Sequence, residues 1–173
     1  VKYDENDTND FAIIELDRDV KRNIMPIRTE GKVSDDARLI VVGHPSGLPQ
    51  KVGLNGKVRT NTNEDFFATN LDTFAGNSGS AVMDLNTGLI EGILVRGEDD
   101  YTYDSARGCY VVNQCKDDEC RGEDVTRITN IQENLAEDNI FKKIRQNAFG
   151  TYRHLKKNKI LNEKNFKTRN TPL

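Results

Sequence analysis

Ser78 stands in the run Gly76-Asn77-Ser78-Gly79-Ser80. A serine hydroxyl is a weak nucleophile until a base takes its proton and backbone N–H groups wait for the oxyanion. Glycines on both sides suit that task, because they let the chain fold back tightly and let a substrate carbonyl approach. A Gly/Ser-rich pentapeptide also serves as an ordinary turn, so its surroundings decide between the two. Upstream, Asn9-Asp10-Phe11-Ala12-Ile13-Ile14-Glu15-Leu16 sets an acid directly ahead of an apolar run. The only imidazoles are His44, in a Gly-His-Pro turn, and His154, far along a basic C-terminal stretch. Cys109, Cys115 and Cys120 lie close together, but not as Cys-x-x-Cys and not near either histidine, so no metal site is expected. One disulfide, Cys115–Cys120 or Cys109–Cys115, suits an exported protein and leaves one thiol over.

The elements that would carry these residues read as short strands separated by turns. Phe11–Leu16 is apolar enough for a buried strand, and Arg38–Gly43 for another, stopped by Pro45-Ser46-Gly47. Lys51–Asn61 contains Asn55-Gly56, a pair favoured in hairpin turns that need positive φ. Asp65–Thr69, Ala81–Leu85, Leu89–Arg96 and Cys109–Val112 complete the series. Beyond residue 125, Ile128, Ile131 and Leu135 recur at helical spacing, with Thr129 and Gln132 spaced as a capping box. The expected order is all-β, then a terminal helix, then a basic tail.

The chain has 173 residues, enough for one domain with its own core, yet only 35% are hydrophobic, 31% are charged and none is Trp. That deficit points to a partner segment supplying part of the core. No run is long and apolar enough to span a bilayer, and no signal-like stretch opens the chain, as expected of a mature or truncated product. The net charge of −3 is strongly divided, with ten Lys or Arg against Glu163 alone in residues 140–173, leaving −12 on the rest. Such a tail suits an anionic partner, but it lacks the interleaved aromatics of a base-stacking surface, and a solvated extension is the expectation. Nucleic acid is not an expected partner.

The ordered set Asp10-x-Ala12-x-x-x-Leu16, Val41-Val42-Gly43-His44-Pro45, Gly76–Ser80 followed by Ala81-Val82-Met83, and Gly92–Gly97 resembles the trypsin-like serine proteases, in particular bacterial members with a Gly-Asn-Ser-Gly-Ser nucleophile motif. The resemblance covers roughly residues 9–135, with Val125–Ile131 similar to the family's terminal helix. It implies an all-β chain made of the end of a first β-barrel (1–30), a second barrel (31–124), a C-terminal helix (125–149) and a basic tail (150–173). By that resemblance Ser78 is the nucleophile, Asp10 holds the catalytic imidazole, and the N–H groups of Gly76 and Ser78 form the oxyanion hole. Asp72 falls at the floor of the specificity pocket, with Val95, Gly97 and Gly108 along the substrate cleft, which implies cleavage after Arg or Lys. The alternative for Asp72 is a turn cap.

Two departures stand out. The family's histidine precedes its aspartate, and none of the nine residues before Asp10 is His. His44 lies between Asp10 and Ser78 in the subtilisin order, but that fold is α/β and the segments here read as strands; neither His44 nor His154 is the expected base. The missing imidazole is expected from an N-terminal chain or segment of the same protein. Asn77 replaces the aspartate that captures a new N-terminal ammonium in zymogen-type members, so that activation switch is not expected. The implied protein is a secreted or periplasmic endopeptidase acting on polypeptides without a cofactor. The alternatives are an inactive homologue serving as a binding module, and a tail-borne polyanion-binding role.

Overall fold

A computed structural model describes residues 2–5, 9–116 and 119–131. Six strands, β3 (Arg38–Gly43), β4 (Lys51–Thr60), β5 (Phe66–Thr69), β6 (Ala81–Asp84), β7 (Ile90–Arg96) and β10 (Glu123–Arg127), close into a barrel in the order β10-β5-β4-β3-β6-β7. Every neighbouring pair is antiparallel. Side-chain alternation explains the closure: Leu39 and Val41 on β3, Val82 on β6, Leu94 on β7, Phe67 on β5 and Val125 on β10 all face one interior, joined by Val33, Ala37 and Leu71. Closing the sheet buries that face and removes the edges an open sheet would expose. The all-β expectation holds.

Two strand pairs lie outside the barrel. β1 (Lys2–Glu5) pairs with β2 (Asp10–Ile13), and β8 (Tyr101–Asp104) pairs with β9 (Cys109–Val112). β2 is shorter than the apolar run suggests, and Ile14 and Leu16 beyond it are exposed. Phe11 is fixed instead in a second apolar cluster with Ile128 and Ile131, against which Ile13, Ile27 and Ile93 pack.

Three expectations are corrected. Asn55-Gly56 does not turn a hairpin: β4 runs straight through it, and Asn55 takes φ 65° as a bulge, so that Leu39 faces Gly56 while Val41 faces Gly53. Residues 125–127 are not helical and the barrel does not end at 124; they belong to β10, which closes the barrel between β5 and β7. A short 3-10 turn, Ile128–Ile131, follows. The remainder of the expected helix to 149, the basic tail 150–173 and His154 lie outside the described residues. β10 was hidden by its charged residues, which find polar partners inside the fold. Buried Asp124 accepts from Arg96 at 3.0 Å and from Arg121, and Arg127 donates to the carbonyls of Asn63 and Phe66 and to the Asn61 side chain. The boundary at residue 30 is also crossed, because Ile27 bridges to Ile90 and Arg28 pairs with the buried Glu91 of β7.

Candidate active site

The loop from β5 to β6 carries Ser78. Its shape is held by its own main chain: Asn77 N–H donates to Phe74 O at 3.0 Å and Ser80 N–H to Asn77 O at 2.9 Å. β7 anchors it from the side, with Gly79 N–H on Leu94 O at 2.7 Å and Leu94 N–H on Ser80 O at 2.9 Å. Asn77 is thereby buried and Ser78 projects outward. The Ser78 hydroxyl donates to Val95 O at 3.0 Å. The amides of Asn77, Gly79 and Ser80 are all taken up by carbonyls, whereas among the described residues those of Gly76 and Ser78 are taken up by none. Gly76 has φ +93°, a conformation that glycine adopts freely and other residues rarely do.

Asp10 opens β2 and is exposed. Asp10, Phe11 and Ala12 from β2 line one cleft of about 430 Å³ with Ser78, Gly79, Ile93, Leu94 and Val95. The cluster around Phe11 explains this meeting, since it packs β2 beside β7, where Ile93 sits. A polar tether supports it, with Asn130 Nδ2 donating to Asn9 Oδ1 at 2.8 Å and to Asp65 O at 2.9 Å. His44 does not line that cleft, and its Nδ1 lies 3.2 Å from Leu48 O in its own turn.

A second, smaller pocket of about 80 Å³ also has Ser78 in its lining. Thr73, Val95, Gly97, Glu98, Asp100 and Glu123 are among its lining residues. Val95 and Gly97 thus share this pocket with Ser78, whereas Asp72 and Gly108 are not in its lining. Asp72 is exposed and faces a surface cavity shared with Arg59 and Cys115, and Gly108 sits at the tip of the β8–β9 hairpin with open space around it. Three acids line the pocket: Glu98 is exposed, Asp100 accepts from Ala75 N–H at 2.6 Å, and Glu123 is half-buried. The Glu123 carboxylate lies against the Cα of Gly97, where any Cβ would overlap it. Burial raises the Glu123 pKa above the usual carboxylate value, the Thr73 hydrogen bond opposes that rise, and nearby Asp100 adds to it. No local pattern marks Glu123; it reaches the pocket only because β10 lies beside β7.

Cys115 and Cys120 form the disulfide, one of the two expected pairings, and Cys109 is free and exposed. Among the described residues, no group of three His, Cys, Asp or Glu is arranged to share a metal ion, and no helix is long and apolar enough to cross a membrane.

Residues 1–93, just over half of the chain, match the trypsin-like peptidase domain family. Among solved structures, the chain is similar to the Rv3671c protease of M. tuberculosis in its active form (16% identity, TM-score 0.44, covering 64% of this chain and 46% of that one). It is similar also to the inactive form of that protease (15% identity, TM-score 0.43, covering 65% and 54%). The chain thus spans about half the length of these structures. No curated protein matches it.

Proposed function

Because the chain belongs to the trypsin-like peptidase family, we propose that it is the nucleophile-bearing part of a serine endopeptidase that cleaves polypeptides through an acyl-enzyme. The observation that carries this reading is the shared cleft, which Asp10 and Ser78 both line.

Each step follows from a named group. An imidazole seated between Asp10 and Ser78 takes the hydroxyl proton as the oxygen attacks the scissile carbonyl. Asp10 holds that ring in the right tautomer and stabilises the imidazolium that forms. The negative charge on the former carbonyl oxygen falls to the two uncommitted amides, Gly76 and Ser78. Collapse expels the amine, which takes its proton from the imidazolium, and water then releases the acyl group by the same route. In this reading the ring comes from an N-terminal segment of the same protein. Ile14, Leu16, Val20, Ile24 and Met25, all exposed on the stretch after β2, offer apolar surface for such a segment to cover.

Glu123 at the pocket beside Ser78 supports cleavage after Arg or Lys, in the role the sequence assigned to Asp72. A carboxylate there rewards a long cationic side chain. The disulfide supports export to an oxidising compartment.

The test is labelling of the full-length protein with a fluorophosphonate and mapping of the adduct. Modification at Ser78 that is lost in Ser78→Ala, and slowed about 10⁴-fold in Asp10→Asn, supports the reading. An unmodified Ser78 in the wild type refutes it and favours the inactive binding module.

A further inference from the structure

An oxyanion donor is useful only if its peptide plane faces the right way, and Gly76 cannot ensure that by itself. A peptide unit is planar and trans, so the Ala75 C=O and the Gly76 N–H point in opposite directions. Turning the unit over would present a carbonyl oxygen where the N–H should be. Glycine tolerates both signs of φ, so the local chain offers little resistance to the turned-over state. Something outside residue 76 must hold this plane.

The Asn77 side chain is not that anchor, since its buried Oδ1 has no hydrogen-bond partner. Two other contacts grip the peptides on either side of Ala75. Ser46 N–H donates to Ala75 O at 2.6 Å, which directs the Gly76 N–H away from the Pro45–Gly47 turn. Ala75 N–H donates to Asp100 Oδ2 at 2.6 Å. Ser46 is itself in a left-handed conformation, φ 50° and ψ 31°, and so needs its own support. Tyr101 supplies it, with its hydroxyl 2.9 Å from Ser46 Oγ and its ring 5.8 Å from that of Phe74 in the nucleophile loop. Asp100 and Tyr101 sit at the base of the β8–β9 hairpin, tied down by Asn113 N–H on Asp100 O at 2.8 Å and Asn113 Nδ2 on Asp99 O at 2.9 Å.

We propose that Asp100 and Tyr101 are positioning residues that lock the Ala75–Gly76 peptide with its N–H presented to the oxyanion. The inference rests on the reading of Ser78 as nucleophile and Gly76 as donor. It predicts that the β8–β9 arm governs turnover from outside the reacting atoms.

The experiment compares Asp100→Ala, Asp100→Asn and Tyr101→Phe in the full-length protein by kcat, KM, the rate of fluorophosphonate labelling, and amide exchange over residues 74–79. Asp100→Ala should lower kcat and the labelling rate about 10²-fold, the order of loss when one oxyanion donor is removed. With substrates that place a small neutral residue in the pocket, and so do not read the charge Asp100 adds to its lining, KM should hardly move. Exchange over 74–79 should quicken. Asp100→Asn keeps an acceptor for Ala75 N–H and should recover most of that loss. Tyr101→Phe, which removes one hydroxyl from an exposed ring and leaves the fold intact, should cost about fivefold. Loss confined to KM, an Asn variant no better than Ala, or no change in any variant overturns the inference while wild-type labelling still upholds the enzyme. A wild type that is not labelled overturns both.

Discussion

Replacing Glu123 by Gln tests the specificity pocket, because the change keeps the shape of the side chain and one acceptor oxygen for Thr73 while removing the charge. An ammonium brought to about 4 Å from a carboxylate gains roughly 4 kcal/mol at an effective dielectric of about 20. The substrate must shed water to get there, so the net value is nearer the ~1.5–3 kcal/mol of a charge-assisted hydrogen bond. At about 1.4 kcal/mol per tenfold, Glu123→Gln should lower kcat/KM for Arg and Lys substrates about 10- to 150-fold. Matched substrates with a neutral residue at that position should be cleaved as before. The pH profile supplies a second signature. Burial raises the Glu123 pKa, Thr73 and Arg121 oppose the rise, and Asp100 and Asp124 add to it. The wild-type preference for basic substrates should therefore strengthen as pH rises through that raised value, and the Gln variant should show no such rise. Stability should move the other way. An acid whose folded pKa lies above its unfolded one contributes stability at low pH and loses it as pH rises through the folded value. The Gln variant should accordingly gain on the wild type toward neutral pH. Paired kcat/KM measurements on Arg, Lys and neutral substrates from pH 4 to about 9, a range that brackets ordinary and raised carboxylate values, provide the assay. An undiminished basic preference in Glu123→Gln, or its loss in Asp72→Asn instead, would refute the reasoning.

Other perturbations probe the scaffold. Arg28→Met strands the buried Glu91 carboxylate and should cost about 3–5 kcal/mol in urea unfolding, whereas adding Glu91→Leu should restore most of it. In Gly43→Ala the new methyl group would overlap the Asn77 and Ser80 side chains, so a loss of about 1–3 kcal/mol in the same assay should accompany slower labelling of Ser78. Removing the Cys115–Cys120 disulfide by paired alanines should cost about 2 kcal/mol for so short a loop. A thiol titration of the native chain should find one reactive group, Cys109.

The strands with alternating or continuous apolar residues were legible in the chain. Arg38–Gly43 and Cys109–Val112 have the bounds expected, and Leu89–Arg96 is shortened only by its first residue. β10 was illegible, because Asp124 and Arg127 look like solvent-facing charges until Arg96, Arg121 and the carbonyls of Asn63 and Phe66 are brought around them. Asn55-Gly56 misled for a related reason. Positive φ serves a bulge as well as a turn, and only the register against β3 chooses between them.

At the candidate site, the Gly/Ser run and the acid ahead of an apolar run drew attention to Ser78 and Asp10. The roles of Ser78, Gly76 and Asp10 came from the resemblance to the trypsin-like proteases, since a Gly/Ser run by itself is also an ordinary turn. Tertiary structure alone decided that Asp10 and Ser78 share a cleft, that Glu123 and not Asp72 lies in the adjoining pocket, and that Asp100 and Tyr101 grip the nucleophile loop. The reason lies in how a barrel closes: its last strand comes to rest beside β7, so residues far apart in the chain become neighbours through a pairing that no local spacing records.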